Sequence, residues 1–532
     1  MRNFQLPGRS PVHGTNGMVA TSQPLATAAG LEMLRQGGNA VDAAIAASAV
    51  LAVVQPTSTG VGGDCFAFYA PGSGGKIVAY NGSGRAPAAA IPQWYSERGI
   101  RQIDVPSAHA VTIPGAIDAW DQLLGDYGTK GLDEVLQPAI SAARDGFPVH
   151  SQMASAWAKR IDILRRDPEA ARIFLPGGKA PGVGTIHRQP ELATTLAAIA
   201  RDGRDAFYKG WIAEDLVAHL RSHGGLHTLD DFAEAKGEYV TPISTGYKGY
   251  TVYECPPNSQ GIVALEMLNI LSGFKVPGGG PLSTERMHLL IEAAWLAYAD
   301  RDRYVCDPGS NSVPMDLLLS QAHADQMRAK IRPDRAMHAA GPSGLPPHND
   351  TIYLTVVDRD GNAISFINSL FASFGTGLCG PKSGVLLQNR GCGFVVDAEH
   401  PNCIGPRKRP MHTIIPGMLA KNDRPVMPFG VLGGHYQATG HVFLLGNILE
   451  YGLDLQEAID LARVYPTQLA RNEVQVECGV PEKTVTSLKA LGHNIVPAPD
   501  PVGGGQAIWI DWDSGVYTAG SDPRYDGCAM GY

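Results

Sequence analysis

Apolar residues recur at helical spacing through most of the first 330 positions. The pattern predicts a helix over Pro24–Arg35, stopped by Gly37-Gly38, and a second over Ala40–Val54, stopped ahead of Pro56. The second is apolar nearly all round, so it is expected to be buried on every side. Gly60-Val61-Gly62-Gly63-Asp64 then leads into 65–70, whose aromatic content reads as a short strand. Helical spacing returns over 110–124, 132–144, 191–200, 210–222, 262–271 and 284–303. Residues 1–350 are therefore expected to be mostly helical.

The character changes after 339–347, a Gly- and Pro-rich stretch that cannot continue a helix and reads as an exposed linker. Residues 351–358 are β-rich, and Ala363–Ser369 answers them across Arg359-Asp360-Gly361. A three-residue loop with Gly361 left-handed would set Asp358 opposite Asn362 and Thr351 opposite Ser369, so that two hydroxyls meet across one ladder. A two-residue Asp360-Gly361 loop would slip the register by one and put them on opposite faces. The sequence leaves both open.

Composition narrows the function classes. With 532 residues, 44% hydrophobic and 18% charged, the chain suits one large folded unit. Its net charge of -8 comes from scattered residues, which gives phosphate backbones no basic stripe to bind, and nucleic acid is not an expected partner. The N-terminal residues lack the apolar core of a secretory signal, and the longest apolar run, 43–54, is too short to span a bilayer. A cytoplasmic location without membrane contact is the expectation. Eight cysteines lie far apart, without a C-x-x-C pair or zinc-type spacing, and read as buried, reduced thiols. No metal and no cofactor are called for.

Candidate chemistry centres on Thr351. Threonine is a weak nucleophile until a base takes its proton, and an N-terminal residue carries its own base, an α-amine titrating near ~8. Cleavage between Asp350 and Thr351 would create that base. Gly375-Thr376-Gly377-Leu378-Cys379-Gly380 matches G-x-G-x-x-G, yet Pro381 stands where a phosphate-binding helix should begin, so the glycines read as a tight loop. Gly433-Gly434 is either an ordinary turn or a pair of N–H donors for an oxyanion. His412-Thr413 follow a cationic stretch of the kind usually found at a solvated surface.

Seven segments then carry a likeness that runs almost end to end and in order. They are Gly37-Gly38-Asn39-Ala40-Val41-Asp42-Ala43-Ala44, Pro256-Pro257-Asn258-Ser259-Gln260-Gly261, Tyr298-Ala299-Asp300-Arg301, the hairpin 351–369, Lys408-Arg409-Pro410, Leu432-Gly433-Gly434 and Ser521-Asp522-Pro523-Arg524. Together they resemble the γ-glutamyltransferase family. The resemblance implies an α+β, four-layer αββα N-terminal-nucleophile hydrolase fold. It also implies a precursor that cuts itself into a large chain, 1–350, and a small chain, 351–532, forming one structural unit. The Thr351 hydroxyl would attack the Asp350 carbonyl to give an ester that water opens, and later attack the substrate amide. Gly433 and Gly434 would hold the oxyanion, and Ser369, where the family usually has threonine, would support the new amine.

Departures from the family pattern fall on substrate recognition. Where glutamyl-specific members place an arginine after the Ala86-Pro87-Ala88 segment, this chain has Pro92, and Gly393 stands where an aspartate should receive the substrate ammonium. Charge-assisted bonds contribute roughly 1.5–3 kcal/mol each, so losing both disfavours glutathione chemistry. His412-Thr413 replace paired serines, Phe371 replaces an asparagine, and Arg390 stands where the family usually has a neutral residue. Arg390, Phe371, His412 and Thr413 are thus the expected substrate-binding residues, and a bidentate guanidinium points to an acid without an amino group. The likeness leans toward the oxamate-hydrolysing branch, with a small carboxylate-bearing amide as substrate. Glutamyl hydrolysis or transfer, glutaryl or cephalosporin-type acylase activity, and an uncut inactive scaffold are the alternatives. Homo-oligomerisation stays open.

Overall fold

The computed structural model describes residues 5, 8–337, 351–468 (at 468 the backbone only) and 471–532. The linker 339–347 and Asp350 lie outside these. Pro24–Arg35 and Ala40–Val54 begin and end where the apolar pattern places them. Asn39 caps the second helix in a reciprocal box with Asp42, and every residue of that helix is buried. The segment expected at 110–124 starts its helix only at Ala116, because Pro114 and Gly115 interrupt it, and 132–144 divides into Leu132–Val135 and Gln137–Asp145 ahead of Pro138.

Helices do dominate residues 8–337, but that region also supplies half of two seven-stranded antiparallel sheets. The first runs Cys528–Gly531, Met18–Thr21, Ile352–Val357, Ala363–Ser369, Asp64–Ala70, Val78–Gly82 and Glu238–Val240 from edge to edge. The second runs Val12–Gly14, Val516–Ser521, Gly504–Asp511, Arg424–Leu432, Gly417–Lys421, Tyr250–Glu254 and Ile243–Tyr247. The short strands at or next to these edges escape a helix-period reading because they are brief and half-exposed.

Period-two alternation separates the faces of the first sheet. Ile352, Leu354, Val356, Ile364 and Phe366 pack outward under Ala40–Val54. Tyr353, Val357, Ile367, Phe66 and Phe68 point inward to meet Met418, Leu432 and Ile508 of the second sheet. Helices Gly261–Leu271 and Tyr436–Leu449 cover that sheet's far side, which completes the αββα stack. A hydrogen-bonded bridge crosses the inner layer, from the Tyr353 hydroxyl to Ser365 Oγ at 2.9 Å and from Ser365 Oγ to the Phe429 carbonyl at 3.3 Å.

The central hairpin adopts the three-residue loop. Ile352 pairs with Asn368 and Val357 with Ala363, Asp358 N–H donates to the Asn362 carbonyl, and Gly361 has φ +75°. A Cβ at Gly361 would lie 2.3 Å from the Trp512 ring, so the position excludes other residues on two grounds.

Six cysteines are buried, but Cys478 is exposed and Cys528 half-buried, which corrects the expectation of eight buried thiols: Cys478 sits in the turn that follows the strand Glu473–Val476. Among the described residues no helix is long and apolar enough to cross a membrane.

Candidate active site

Because the register sets residue 351 opposite 369, Thr351 and Ser369 leave the hairpin on the same inner face. Their hydroxyl oxygens are 3.0 Å apart and both residues are buried. Ser369 Oγ also accepts the Phe371 N–H at 2.9 Å and Arg390 Nη2–H at 3.4 Å. These two donors occupy its lone pairs, which leaves its own hydrogen for Thr351 Oγ. The Thr351 hydroxyl proton is then free to pass to another base.

One strand further along the sheet, Asp64 pairs with Ser369 and shares the inner face. Its carboxylate accepts four N–H donors: Gly84 N–H at 2.9 Å, Gly115 N–H at 3.3 Å, Gln388 Nε2 at 2.8 Å and His412 Nε2 at 3.1 Å. The donor at His412 is fixed because its Nδ1 accepts the Ile414 N–H. Burial raises the Asp64 carboxyl to about 6, and Arg390 and the hydrogen bonds hold it from going higher. His412, expected to touch substrate, thus has both ring nitrogens engaged with protein and lies against Phe66 at 4.7 Å.

Arg390 opens the 3₁₀ turn Arg390–Gly393 and is wholly buried. Nη1 donates to Thr413 Oγ1 at 2.8 Å, the guanidinium lies 4.0 Å over the Phe371 ring, and Nε has no partner. Among the described residues no carboxylate forms an ion pair with it. Burial presses its pKa down to about 9, with Asp64 the principal opposing charge. A buried cation with a spare donor is under-compensated, and a bound carboxylate would relieve that deficit. Phe371 takes a positive φ of +79°, a costly conformation for a bulky side chain. Asn389 anchors the approach, accepting from Ala372 N–H and donating to the Gly375 carbonyl. The Gly375–Gly380 loop therefore supports the segment that carries Arg390, and no helix follows it.

Gly433 and Gly434 connect Arg424–Leu432 to the helix Tyr436–Leu449, with φ of +131° and +59°. A Cβ at Gly433 would approach Gly503 Cα to 2.9 Å. Gln260 ties this turn to the Arg390 wall, since its Nε2 donates to the carbonyls of both Gly434 and Thr413 at 3.0 Å. Arg301 donates to Gln260 Oε1 and to His435 Nδ1, each at 3.0 Å, and the Tyr298 hydroxyl donates to the His435 carbonyl at 2.7 Å. An N–H pair at a helix N-terminus is suited to a developing negative charge.

Thr351, Ser369, Phe371, Arg390 and Thr413 thus form one connected set, with Gly434 linked through Gln260 and His412 through Asp64. Sequence reasoning assigned no role to Asp64, Gln260 or Arg301. Asp64 had a readable signal, as it shares alternation with the inward Phe66 and Phe68. Neither Pro92 nor Gly393 offers a charge. Among the described residues three sets of His and carboxylate side chains lie close enough to share a metal ion, Asp167/His219/His223, His288/Glu292/His493 and Glu266/Asp300/His323, and none contains a residue of this set.

Comparison with known proteins agrees with the geometry. The gamma-glutamyltranspeptidase family model matches residues 26–532. A glutathione hydrolase-like YwrD proenzyme of Bacillus subtilis is 39% identical, over 98% of this chain and 99% of that protein. An oxamate amidohydrolase proenzyme of Klebsiella pneumoniae is 33% identical, over 97% and 99%. The crystal structure of a cephalosporin acylase from Bacillus halodurans superposes with a TM-score of 0.93 at 39% identity, covering 100% of this chain and 99% of that one.

Proposed function

This chain belongs to the gamma-glutamyltranspeptidase family of N-terminal-nucleophile amide hydrolases, and from that premise we propose that it cuts itself before Thr351 and hydrolyses a short amide bearing a carboxylate, oxamate being the best candidate. In processing, Thr351 Oγ attacks the Asp350 carbonyl, the peptide nitrogen becomes the free α-amine of Thr351, and water opens the ester to leave Asp350 with a carboxylate. In turnover, Thr351 Oγ attacks the amide carbonyl and its proton passes to the α-amine. The Gly433 and Gly434 N–H groups hold the oxyanion, and the amine returns the proton as ammonia departs. Water, deprotonated by the same amine, then opens the threonyl ester and releases oxalate.

The observation that carries the substrate reading is the position of Arg390. Its guanidinium is two hydrogen-bond lengths from Thr351 Oγ, through Ser369, and has an unused donor. A carboxylate directly attached to the scissile carbonyl, as in oxamate, fits that short separation. The Phe371 ring lies 4.0 Å from the guanidinium carbon, and Thr413 holds one arm of the fork. His412 acts at one remove, by holding Asp64. The likeness to a cephalosporin acylase favours a second reading, removal of a glutaryl-type acyl group. Its carboxylate, three methylenes from the carbonyl, would have to reach past Arg390.

Intact mass and N-terminal sequencing of the purified protein test processing. Ammonia release from oxamate, measured beside glutamate release from glutathione and glutarate release from a glutaryl amide, tests the substrate. Two fragments, the smaller beginning at Thr351, with turnover of oxamate alone are the expected result. Cleaved protein that prefers the glutaryl amide would transfer the assignment to the acylase reading, preference for glutathione would restore the glutamyl one, and an uncut inactive chain would leave a scaffold.

A further inference from the structure

Three helices behind the second sheet bring together a group of side chains with no part in the amide chemistry. Glu266 lies on Gly261–Leu271, Asp300 on Thr284–Tyr304 and His323 on Gln321–Arg328, and the three helices pack against one another. One donor atom from each residue lies within 4.8 Å of the other two. His323 Nε2 is 2.8 Å from Asp300 Oδ2. Glu266 is only 2% exposed, and neither of its carboxyl oxygens has a hydrogen-bond partner.

An unpartnered buried carboxyl is costly unless it is neutralised or coordinated. We propose that Glu266, Asp300 and His323 bind a first-row divalent cation of the zinc class, with water completing a four-coordinate site. Two carboxylates balance a dication, and one imidazole with two oxygens suits zinc better than calcium, which takes six to eight oxygens. Donor atoms that share a zinc ion at about 2.0–2.2 Å lie roughly 3–3.5 Å apart, inside the spread observed here. Asp300 is partly exposed, which gives the ion an entry path. The site braces the helix that also carries Tyr298 and Arg301, the supports of the Gly433-Gly434 turn.

The test uses the full-length protein, stripped with a chelator and reloaded with zinc alone. Uptake of about one zinc per chain is expected, with a higher melting temperature and, on cobalt substitution, the intense visible bands of a tetrahedral site. Glu266→Gln and Glu266→Met should each bind zinc at least about a hundredfold more weakly and lose the zinc-dependent rise in melting temperature. His493→Gln, which disables the His288/Glu292/His493 group instead, should keep it. If Glu266→Met fails to fold, the near-isosteric Gln variant decides. Wild type that melts identically with and without zinc and takes up no stoichiometric ion would overturn the assignment, as would a Glu266 variant that retains the full zinc response.

Discussion

The two sides of the site are built differently. Thr351 and Ser369 stand at the ends of adjacent strands in the middle of a seven-stranded sheet, in a register pinned by a glycine turn against Trp512. The facing wall, Phe371, Arg390 and Thr413, comes from segments with almost no repetitive structure, held by side-chain bonds from Asn389, Gln260 and Asp64. A ladder fixes position through its backbone and tolerates few changes, whereas a wall of loops can exchange one side chain for another and keep its backbone path. The contrast suggests a division of labour in which the hairpin performs the chemistry common to the family and the loops select the amide.

Substitutions on either side of the site separate the two roles. Thr351→Ala removes the proposed nucleophile of both reactions, so the chain should stay uncut on a denaturing gel and activity should fall by at least about a thousandfold. Ser369→Ala keeps the nucleophile but loses the hydroxyl that donates to it and leaves its proton free to transfer. It should slow self-cleavage and turnover together, each by roughly a hundredfold or more in time courses. If it slowed only turnover, the hairpin would not be common to both reactions. Arg390→Met should act chiefly on the other side: cleavage slowed no more than a few-fold, since the Phe371 N–H still holds Ser369 Oγ, but a loss of about a hundredfold in kcat/KM for an anionic amide.

Asp64 gives a pH test. Its carboxyl is raised above the usual value to about 6, so the folded chain holds this proton more tightly than the unfolded one. The stability that follows is present at low pH and declines as pH rises from about 4 to 6, by up to about 3 kcal/mol. Asp64→Asn should remove that decline from the wild-type melting profile while leaving self-cleavage intact. The smallest effect belongs to Phe371→Ala, which deletes the ring beneath the guanidinium and should raise KM for the anionic amide a few-fold, with kcat little changed.

Much of the hairpin was legible in the sequence. Two β-rich segments separated by Arg359-Asp360-Gly361 predict two paired strands, though only the structure chose between the two registers. The buried helix Ala40–Val54 was legible because a continuous apolar run too long for a strand lies between Gly37-Gly38 and Pro56. The short strands between 238 and 254 were not, because they are brief and half-exposed. The Arg390 wall was legible only as a departure from the family pattern: nothing local in 388–413 shows that Arg390 stacks on Phe371 or reaches Thr413, as those contacts depend on tertiary placement of loops. Asp64 and Gln260 were missed for the same reason, their partners lying hundreds of residues away or on separate segments.

The most direct measurement compares two amides on fully cleaved wild-type protein, oxamate and its uncharged counterpart oxamide, by ammonia release. A kcat/KM about a hundredfold higher for oxamate is the predicted result, since only oxamate offers Arg390 a carboxylate. Equal rates, or a preference for oxamide, would contradict it and leave the buried guanidinium with a purely structural role.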